Sequence, residues 1–347
     1  MEASMYGIDI AKNVFQVHGA DASGRMVVQK RLKRIQVIKF FSKAPKAVVA
    51  MEACGSAHHW GRELIKLGHE VRLIPPAYVK PYVVRNKTDA RDAAAICEAG
   101  SRPMMRRVPV KTIEAQAGRA LQRAHDLLVR QRTGLANAIR GHLSEIGIIA
   151  PPGKAGLARL IEMVAAKDQT IAPSLIAPLE ALARQHRFLD EEIALAEAAI
   201  LARVKANADM KRLMRIPMIG PMTAHAMIVA IGDGRQFASA RDFAAWLGLT
   251  PKQASSAETT RSGKISKQGD EPLRRLFVLG AANALRRPEK ASPWMKKLLG
   301  RRPPKVAMIA QAAKTARIAW AVLVSGQEYQ PDLVLEKEPQ PDAAPAA

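Results

Sequence analysis

The hydrophobic pattern changes period at Pro109, and this limits the chain to an α/β layer followed by a largely helical remainder. Before that point "MYGIDI", "VFQVHGA" and "RMVVQKRL" read as three strands between Met5 and Leu32. A short turn at Ala11–Asn13 and the turn signal "DASG" at Asp21–Gly24 make them an antiparallel meander. "IQVIKFFSK" then has helical spacing, and "AVVAMEA" is a compact apolar strand. "HHWGRELIKLG" is a helix stopped by Gly68, and "EVRLI" is a strand stopped by Pro75 and Pro76.

Beyond Pro109 a helical face runs through Ile113, Ala117, Leu121, Ala124, Leu128, Leu135, Ile139 and Leu143, opposite several arginines, until "APPGKAG" breaks it. A second helix carries Leu175, Leu179, Leu182, His186, Leu189, Ile193, Ala196 and Ile200 at alternating spacings of four and three. That heptad seam predicts either a coiled coil, as a hairpin or a dimer contact, or a plain amphipathic helix packed within its own domain. From Met210 to Gly326 short helical segments are punctuated by Gly and Pro. The expected division is residues 1–110 as an α/β domain, either alone or with the helix over 111–150 packed on it. A helical coiled-coil region over 151–208, a mainly α domain over 209–326 and a disordered Pro- and Ala-rich tail over 327–347 follow.

Lysine and arginine number 54 against 31 acids, a net charge of +23 that exceeds what solubility requires and points to nucleic acid. With aromatic residues at only 4%, contacts to backbone and groove by Arg and Lys are favoured over stacking on exposed rings. No apolar run stands out as a membrane span, so no membrane partner is expected. Two cysteines, Cys54 and Cys97, are too few for a disulfide framework or a zinc site, and "MEASMYGIDI" does not read as a leader. The expected setting is the cytoplasm.

Against this basic background four acids stand apart. Asp9 lies in the first strand and Glu52 ends the strand "VVAMEA", while Asp89 and Asp92, three apart in "TDARDAAAI", share one face of a helix. An apolar strand gains nothing from holding Asp9 unless something binds it. Four oxygen donors without a His or Cys pattern suit a hard cation, and Mg²⁺ is the usual one where phosphate reacts. Two such ions would serve an in-line displacement. For either helix aspartate alone, a solvated surface acid or an ordinary pair with Arg91 is the competing account.

Two further stretches bear on chemistry. In "RIPMIGPMTAHAMIVAIGD" a turn at Gly220-Pro221 leads into an apolar helix whose first N–H groups, near Gly220 and Thr223, can meet a phosphate; a helix-packing turn is the alternative. In "WLGLTPKQASSAETTRSGKISKQGDEPLRRLFVLGAANALRR" a polar loop separates "FAAWLGL" from a helix opened by Asp270 and Pro272. That loop offers Ser255 and Ser256 beside Lys264 and Lys267 but no histidine to act as base, so on its own it reads as a flexible linker. Arg261, Lys264, Lys267, Arg274 and Arg275 are the candidate nucleic-acid contacts.

The strand order with its acids resembles the RNase H-like fold of RuvC-type nucleases. Taken with "GIDIAKNVFQVHGAD", "MEACGSAHHWGREL", "KTDARDAAAICEA", "IPMIGPMTAHAMIVAIGD", "FAAWLGLTPKQASSAETTRSGKISKQGDEPLRRLFVLGA" and "AAKTARIAWAVL", the chain resembles the DEDD transposases of bacterial insertion sequences. The group is the one written IS one-ten, and the likeness is nearest to its IS eleven-eleven branch. It spans Met5 to Val324 in the family's order.

The resemblance implies an acidic tetrad of Asp9, Glu52, Asp89 and Asp92 holding Mg²⁺, two ions by expectation, with Mn²⁺ able to substitute. It also implies a serine that attacks DNA, matched here by Ser256 or its neighbour Ser255. Ala257 and "ETT" stand where the family often has glycine and Gly-Lys, and Met218 stands where the turn usually has its first glycine. Further implied are donor and target double-stranded DNA, a structured noncoding (bridge) guide RNA, assembly as a homodimer or homotetramer, and action at the bacterial nucleoid. The competing functions are a RuvC-like nuclease or resolvase acting through water, and a non-catalytic nucleic-acid-binding protein.

Overall fold

The computed structural model describes residues 2–83, 89–256, 259–286 and 292–331; over 254–256 and 259–262 it describes the backbone alone. The chain divides into two compact units, Met1–Glu114 and Ala115–Ala347. The tail expected to be disordered lies outside the described residues from 332 onward.

The first unit is built on strands β1 (Met5–Ile10), β2 (Val14–Ala20) and β3 (Met26–Lys33), which form the expected antiparallel meander. The β2–β3 turn closes on Asp21, whose Oδ1 accepts from the N–H groups of Ser23 at 2.9 Å and Arg25 at 3.0 Å, while Gly24 takes a left-handed φ of 83°. Helix α1 (Val37–Lys43), strand β4 (Val48–Glu52), helix α2 (Ala57–Lys66), strand β5 (Glu70–Ile74), the single turn α3 (Pro76–Val79) and helix α4 (Asp89–Ser101) follow. The sheet order is β3-β2-β1-β4-β5, with β4 parallel to β1 and β5 parallel to β4.

Strand alternation sorts the side chains of this sheet onto two faces. Tyr6 and Ile8 of β1, Phe15 and Val17 of β2 and Val49 and Met51 of β4 form one core with Val37 and Phe41 of α1 and Trp60 and Leu64 of α2. Phe15 and Trp60 meet edge to face at 4.9 Å. The other core joins Met5, Ala50 and Ile74 to Ala95, Ile96, Cys97 and Ala99 of α4. Each large side chain so buried contributes about 1.5–3 kcal/mol. A mixed five-stranded sheet with helices on both faces is compatible with the RNase H-like expectation.

The second unit is mostly helical: α5 (Ile113–Ser144, its first two residues in the first unit), α6 (Lys154–Ala165), α7 (Pro173–Ala206), α8 (Ala208–Met214), α9 (Pro221–Ile231) and α10 (Ala240–Trp246). A hairpin of β6 (Pro251–Ser256) and β7 (Thr259–Ile265) comes next, then α11 (Glu271–Leu285), α12 (Pro293–Leu299) and α13 (Pro304–Ser325). Its main core gathers Ile200 and Val204 of α7 with Leu213, Met227, Phe243, Phe277 and Ala316.

Here one alternative left open by the sequence is decided and two expectations change. The heptad seam of α7 is packed within its own unit. Arg132 to Asp190 at 2.8 Å and His125 to Glu197 at 3.4 Å set α5 antiparallel to α7, and Leu179 is buried with Ile139 and Leu143. The buried stripe of α5 is also rotated from the apolar face read in the sequence. Ile139 and Leu143 are buried, but Ile113, Ala117 and Ala124 are exposed, and Gly118, Gln122, His125 and Asp126 are buried instead. These polar groups are tolerated inside because Gln122 meets His225 at 3.1 Å and Asp126 accepts from Arg275 at 2.9 Å.

Last, α13 is a 22-residue helix apolar enough to pass for a membrane span by length and composition, which the sequence reading missed. Ala312, Ala316, Ala319, Val322 and Leu323 lie in the main core, so it is used here as a core helix.

Candidate active site

β1 occupies the centre of the sheet, and its last residues before the turn into β2 are Asp9 and Ile10. Its parallel register with β4 pairs Ile8 with Met51, so Asp9 and Glu52 stand one step further along, at the same level of neighbouring strands. Alternation puts both on the sheet face that α4 covers. Carboxyl ends of parallel strands are where α/β sheets place their ligand sites.

Helix α4 reaches that edge by running antiparallel to β1 with almost nothing between them. A Cβ on Gly7 would collide with the carbonyl oxygen of Ala93 and the backbone nitrogen of Cys97, and one on Gly100 would strike the side chains of Met5 and Ala50. Glycine is used here for close approach of backbone to backbone. The approach places the first turn of α4 over the carboxyl end of β1, where ligand atoms of Asp9, Asp89 and Asp92 all lie within 4.8 Å of one another. Asp9 and Asp92 are half-buried and Asp89 is exposed. Glu52 is half-buried at the same edge, but its carboxylate lies outside that trio.

The electrostatics of this edge are negative. The thiol of Cys54, two residues past Glu52, is pushed up by desolvation first and then by the charges of Glu52 and Asp9. Cys97, beneath Gly7, is pushed up to about 11, chiefly by burial, which makes it an inert packing group. The N-terminal dipole of α4 favours acids in its first turn and offsets part of their mutual repulsion.

One atom at this edge remains unexplained by packing: Asp92 Oδ1 is buried and has no hydrogen-bond partner among the described residues. Leaving a charged acceptor in that state costs more than the ~1–3 kcal/mol of a neutral group. The trio fits a divalent cation, whose ligand oxygens at about 2.1 Å from Mg²⁺ lie within about 4.2 Å of one another. All-oxygen donors are also the chemistry a hard cation selects.

The serines and basic residues belong to the second unit. Instead of the flexible loop expected from composition, residues 251–265 form an antiparallel hairpin in which Ser255 pairs with Thr260 and Ser256 with Thr259. Threonine and isoleucine along β7 suit a strand, and the backbone ladder overrides the Ser- and Gly-rich composition. Ser255 and Ser256 therefore hold adjacent positions of one strand near the hairpin tip, while the Arg261 side chain lies outside the described ones. Lys264 and Lys267 are exposed.

The remaining candidates have defined surroundings. Gly220 is the exposed N-cap of α9, whereas Thr223 is buried in that helix. Arg274 donates to the carbonyls of Leu247 at 3.0 Å and Gln268 at 2.7 Å, and Arg275 donates to Asp126. In the turn before α9, Met218 has a left-handed φ of 73°, the conformation for which glycine is the usual residue, and its carbonyl packs on Gly280.

The sequence reading missed the buried polar side chains of α5 and their partner His225. A histidine in the middle of the apolar "AHAMIVAI" was the available signal, since such a group needs a partner to be buried.

A mixed sheet that gathers carboxylates at its carboxyl edge, followed by a helical unit, is compatible with the arrangement expected for a DEDD transposase. A family model for DEDD transposases of the IS110 type matches residues 6–148, which hold all four acids, and one described as "Transposase IS116/IS110/IS902 family" matches residues 210–298, which hold both serines. The "Probable family 20 transposase" of Pseudomonas aeruginosa is 47% identical over 95% of this chain and 100% of its own length. The "Transposase for insertion sequence element IS1328" of Yersinia enterocolitica is 38% identical, covering 94% of this chain and 98% of that relative. The "Transposase for insertion sequence element IS1111A" of Coxiella burnetii is also 38% identical, covering 95% and 92%. The chain belongs to the IS110 family of DEDD transposases. Its substrate is accordingly DNA, which enzymes of this class cut and rejoin.

Proposed function

We propose that this transposase acts through a metal-bound acidic tetrad, Asp9, Glu52, Asp89 and Asp92, and through a serine nucleophile, Ser256 or Ser255. The observation that carries the metal site is the Asp9–Asp89–Asp92 cluster with its unpartnered Asp92 oxygen. Asp9, Asp89 and Asp92 would hold the ion, and Glu52 joins them by a side-chain rotation at the same edge. Bound there, Mg²⁺ supplies positive charge to a phosphate that becomes more negative as it reacts.

The chain's own groups do the rest. The serine oxygen forms a bond to phosphorus as the bond to one DNA sugar oxygen breaks, and the proton passes from the serine to the departing hydroxyl. Reversal with a hydroxyl of another strand rejoins DNA and restores the serine, so the count of phosphoester bonds is unchanged. Arg261, Lys264, Lys267 and the exposed N-cap of α9 at Gly220 would line the DNA or RNA path, and Thr223, buried in that helix, would not.

Guidance by a structured noncoding RNA is supported by the +23 charge, which suits a chain that holds two polyanions at once. Assembly into a dimer or tetramer is supported by Phe188 and Leu195, which lie one heptad apart on the outer side of α7 and are 57% and 64% exposed. Cytoplasmic action at the nucleoid follows from the same reading.

The deciding experiment traps the protein on a nicked DNA substrate and maps the adduct by mass spectrometry. A DNA-linked peptide containing Ser255 and Ser256 is expected. Cleavage without any adduct would instead assign the site to water-activated, RuvC-like hydrolysis.

A further inference from the structure

The described side chains of the β6–β7 hairpin are exposed at 251–253 and 263–264, yet its base is closely constrained. Gly248, just before β6, and Gly269, just after β7, have left-handed φ values of 72° and 73°. A Cβ on Gly248 would collide with the backbone of Gln268, and one on Gly269 would collide with the carbonyl of Trp246. The two feet thus touch backbone to backbone. Their polar groups also pair: Lys267 N–H donates to the Gly248 carbonyl at 3.1 Å, and Ser266 N–H to that of Thr250 at 2.9 Å.

A single side chain spans both feet. Arg274, in the first turns of α11, donates through Nη1 to the carbonyl of Leu247 at 3.0 Å in the segment that leads into β6 and to that of Gln268 at 2.7 Å in the segment that leaves β7. Charge-assisted bonds to two carbonyls from one planar guanidinium fix direction as well as distance. The helix that carries Arg274 is itself held. Asp270 caps α11 by accepting from Leu273 N–H at 3.0 Å, and its other oxygen accepts from Arg119 of α5 at 2.8 Å, with only 7% of the Asp270 side chain exposed. A second bond runs the opposite way, from Arg275 of α11 to Asp126 of α5 at 2.9 Å. Each helix therefore gives one cation and takes one, across a contact that resists both sliding and rotation of α11.

We infer that Arg274, backed by the Arg119–Asp270 and Arg275–Asp126 pairs, is a positioning residue that aims the serine-bearing hairpin. The inference rests on the serine reading above. It assigns Arg274 and Arg275 to the hairpin's mounting and not to the DNA surface. A hairpin free to swing at its neck would still fold and bind DNA, but it would seldom present its hydroxyl in line with a phosphorus.

The test compares Arg274→Ala and Arg274→Lys in the full chain. Amide hydrogen exchange of 251–256 and 259–265, affinity for element-end DNA, and recombination of the parent element in cells are measured together. In Arg274→Ala, hairpin exchange should rise about tenfold while exchange in α9 is unchanged. Recombination should fall about 100-fold, the usual cost of a misplacement near 1 Å, with DNA affinity within about twofold. Arg274→Lys, which keeps one of the two bonds, should fall between. Unchanged hairpin exchange, unchanged recombination, or a loss of DNA affinity as large as the loss of recombination would each overturn the inference, the last by making Arg274 a DNA contact. Ser255→Ala/Ser256→Ala, measured alongside, separates the two ideas: recombination surviving in that double variant defeats the serine reading, while the exchange result still decides whether Arg274 mounts the hairpin.

Discussion

Asp92 carries two opposing demands in one side chain. Its buried Oδ1 lacks a partner among the described residues and lies among other carboxylates, so on the proposed metal-site reading it weakens the fold without a cation and strengthens it with one. In metal-free protein, Asp92→Asn should therefore raise the unfolding free energy by about 1 kcal/mol. Mn²⁺ should raise the unfolding temperature of the parent protein, and the same substitution should abolish that shift. Unfolding scans with and without Mn²⁺ check both, and a variant that keeps its Mn²⁺ response would remove Asp92 from the ligand set.

The buried histidines of the second unit make a second residue-scale expectation. Burial, then Arg203, pulls His225 down to about 4, so it is neutral in the fold at neutral pH, its Nδ1 within 3.1 Å of Gln122 Oε1. The unfolded chain binds that proton from about pH 6.5 downward, so stability falls as pH drops from about 6.5 towards 4. His125 works in the other sense: the neighbouring carboxylate of Asp126, and then that of Glu197, raises it. Its contribution is complete below the unfolded value near 6.5 and is lost as pH rises through the higher folded one. Denaturant midpoints from pH 4.5 to 8 should show His225→Gln flattening the acid side and His125→Gln flattening the alkaline side.

At the scale of elements, the β1–α4 contact and the α8–α9 turn show how glycine governs placement. Gly7→Ala should cost about 1–3 kcal/mol and reduce recombination together with Mn²⁺ affinity, because α4 cannot move off β1 without taking Asp89 and Asp92 from Asp9. Gly280→Ala should destabilise by a similar amount through the Met218 carbonyl, without changing Mn²⁺ affinity. Calorimetry paired with Mn²⁺ titration distinguishes these outcomes.

Most first-unit elements were legible because their signals are local: "DASG" closes a turn by itself, and alternation alone assigns Asp9 and Met5 to one face. The acids were legible for the same reason, each lying at a strand end or in a first helical turn. The α5 stripe was not, since Gln122 looks solvent-facing until His225, 103 positions away, supplies its partner. The hairpin was hidden because Ser, Gly and Lys describe a linker as well as a strand whose ladder is made by the backbone.

At the scale of the whole molecule, the excess of 54 cations over 31 acids is dispersed along the chain, whereas Asp9, Asp89 and Asp92 gather at one sheet edge. Binding to element-end DNA should weaken steeply with salt, losing about 10³ or more in affinity between 50 and 200 mM. Mn²⁺ affinity at the acidic edge should change far less over that range, since half-buried charges are screened less than exposed ones. Filter binding and calorimetric titration across the salt series check the pair, and parallel slopes would contradict the separation.

The bare contact between β1 and α4 acts as a ruler. Where two elements meet through side chains, their spacing drifts with every substitution that swells or shrinks the core. Gly7 removes that freedom, so the distance from Asp9 to Asp89 and Asp92 is set by the radii of main-chain atoms. Mutations can accumulate in the surrounding layers, altering stability and surface, while the gauge of the acidic edge stays constant.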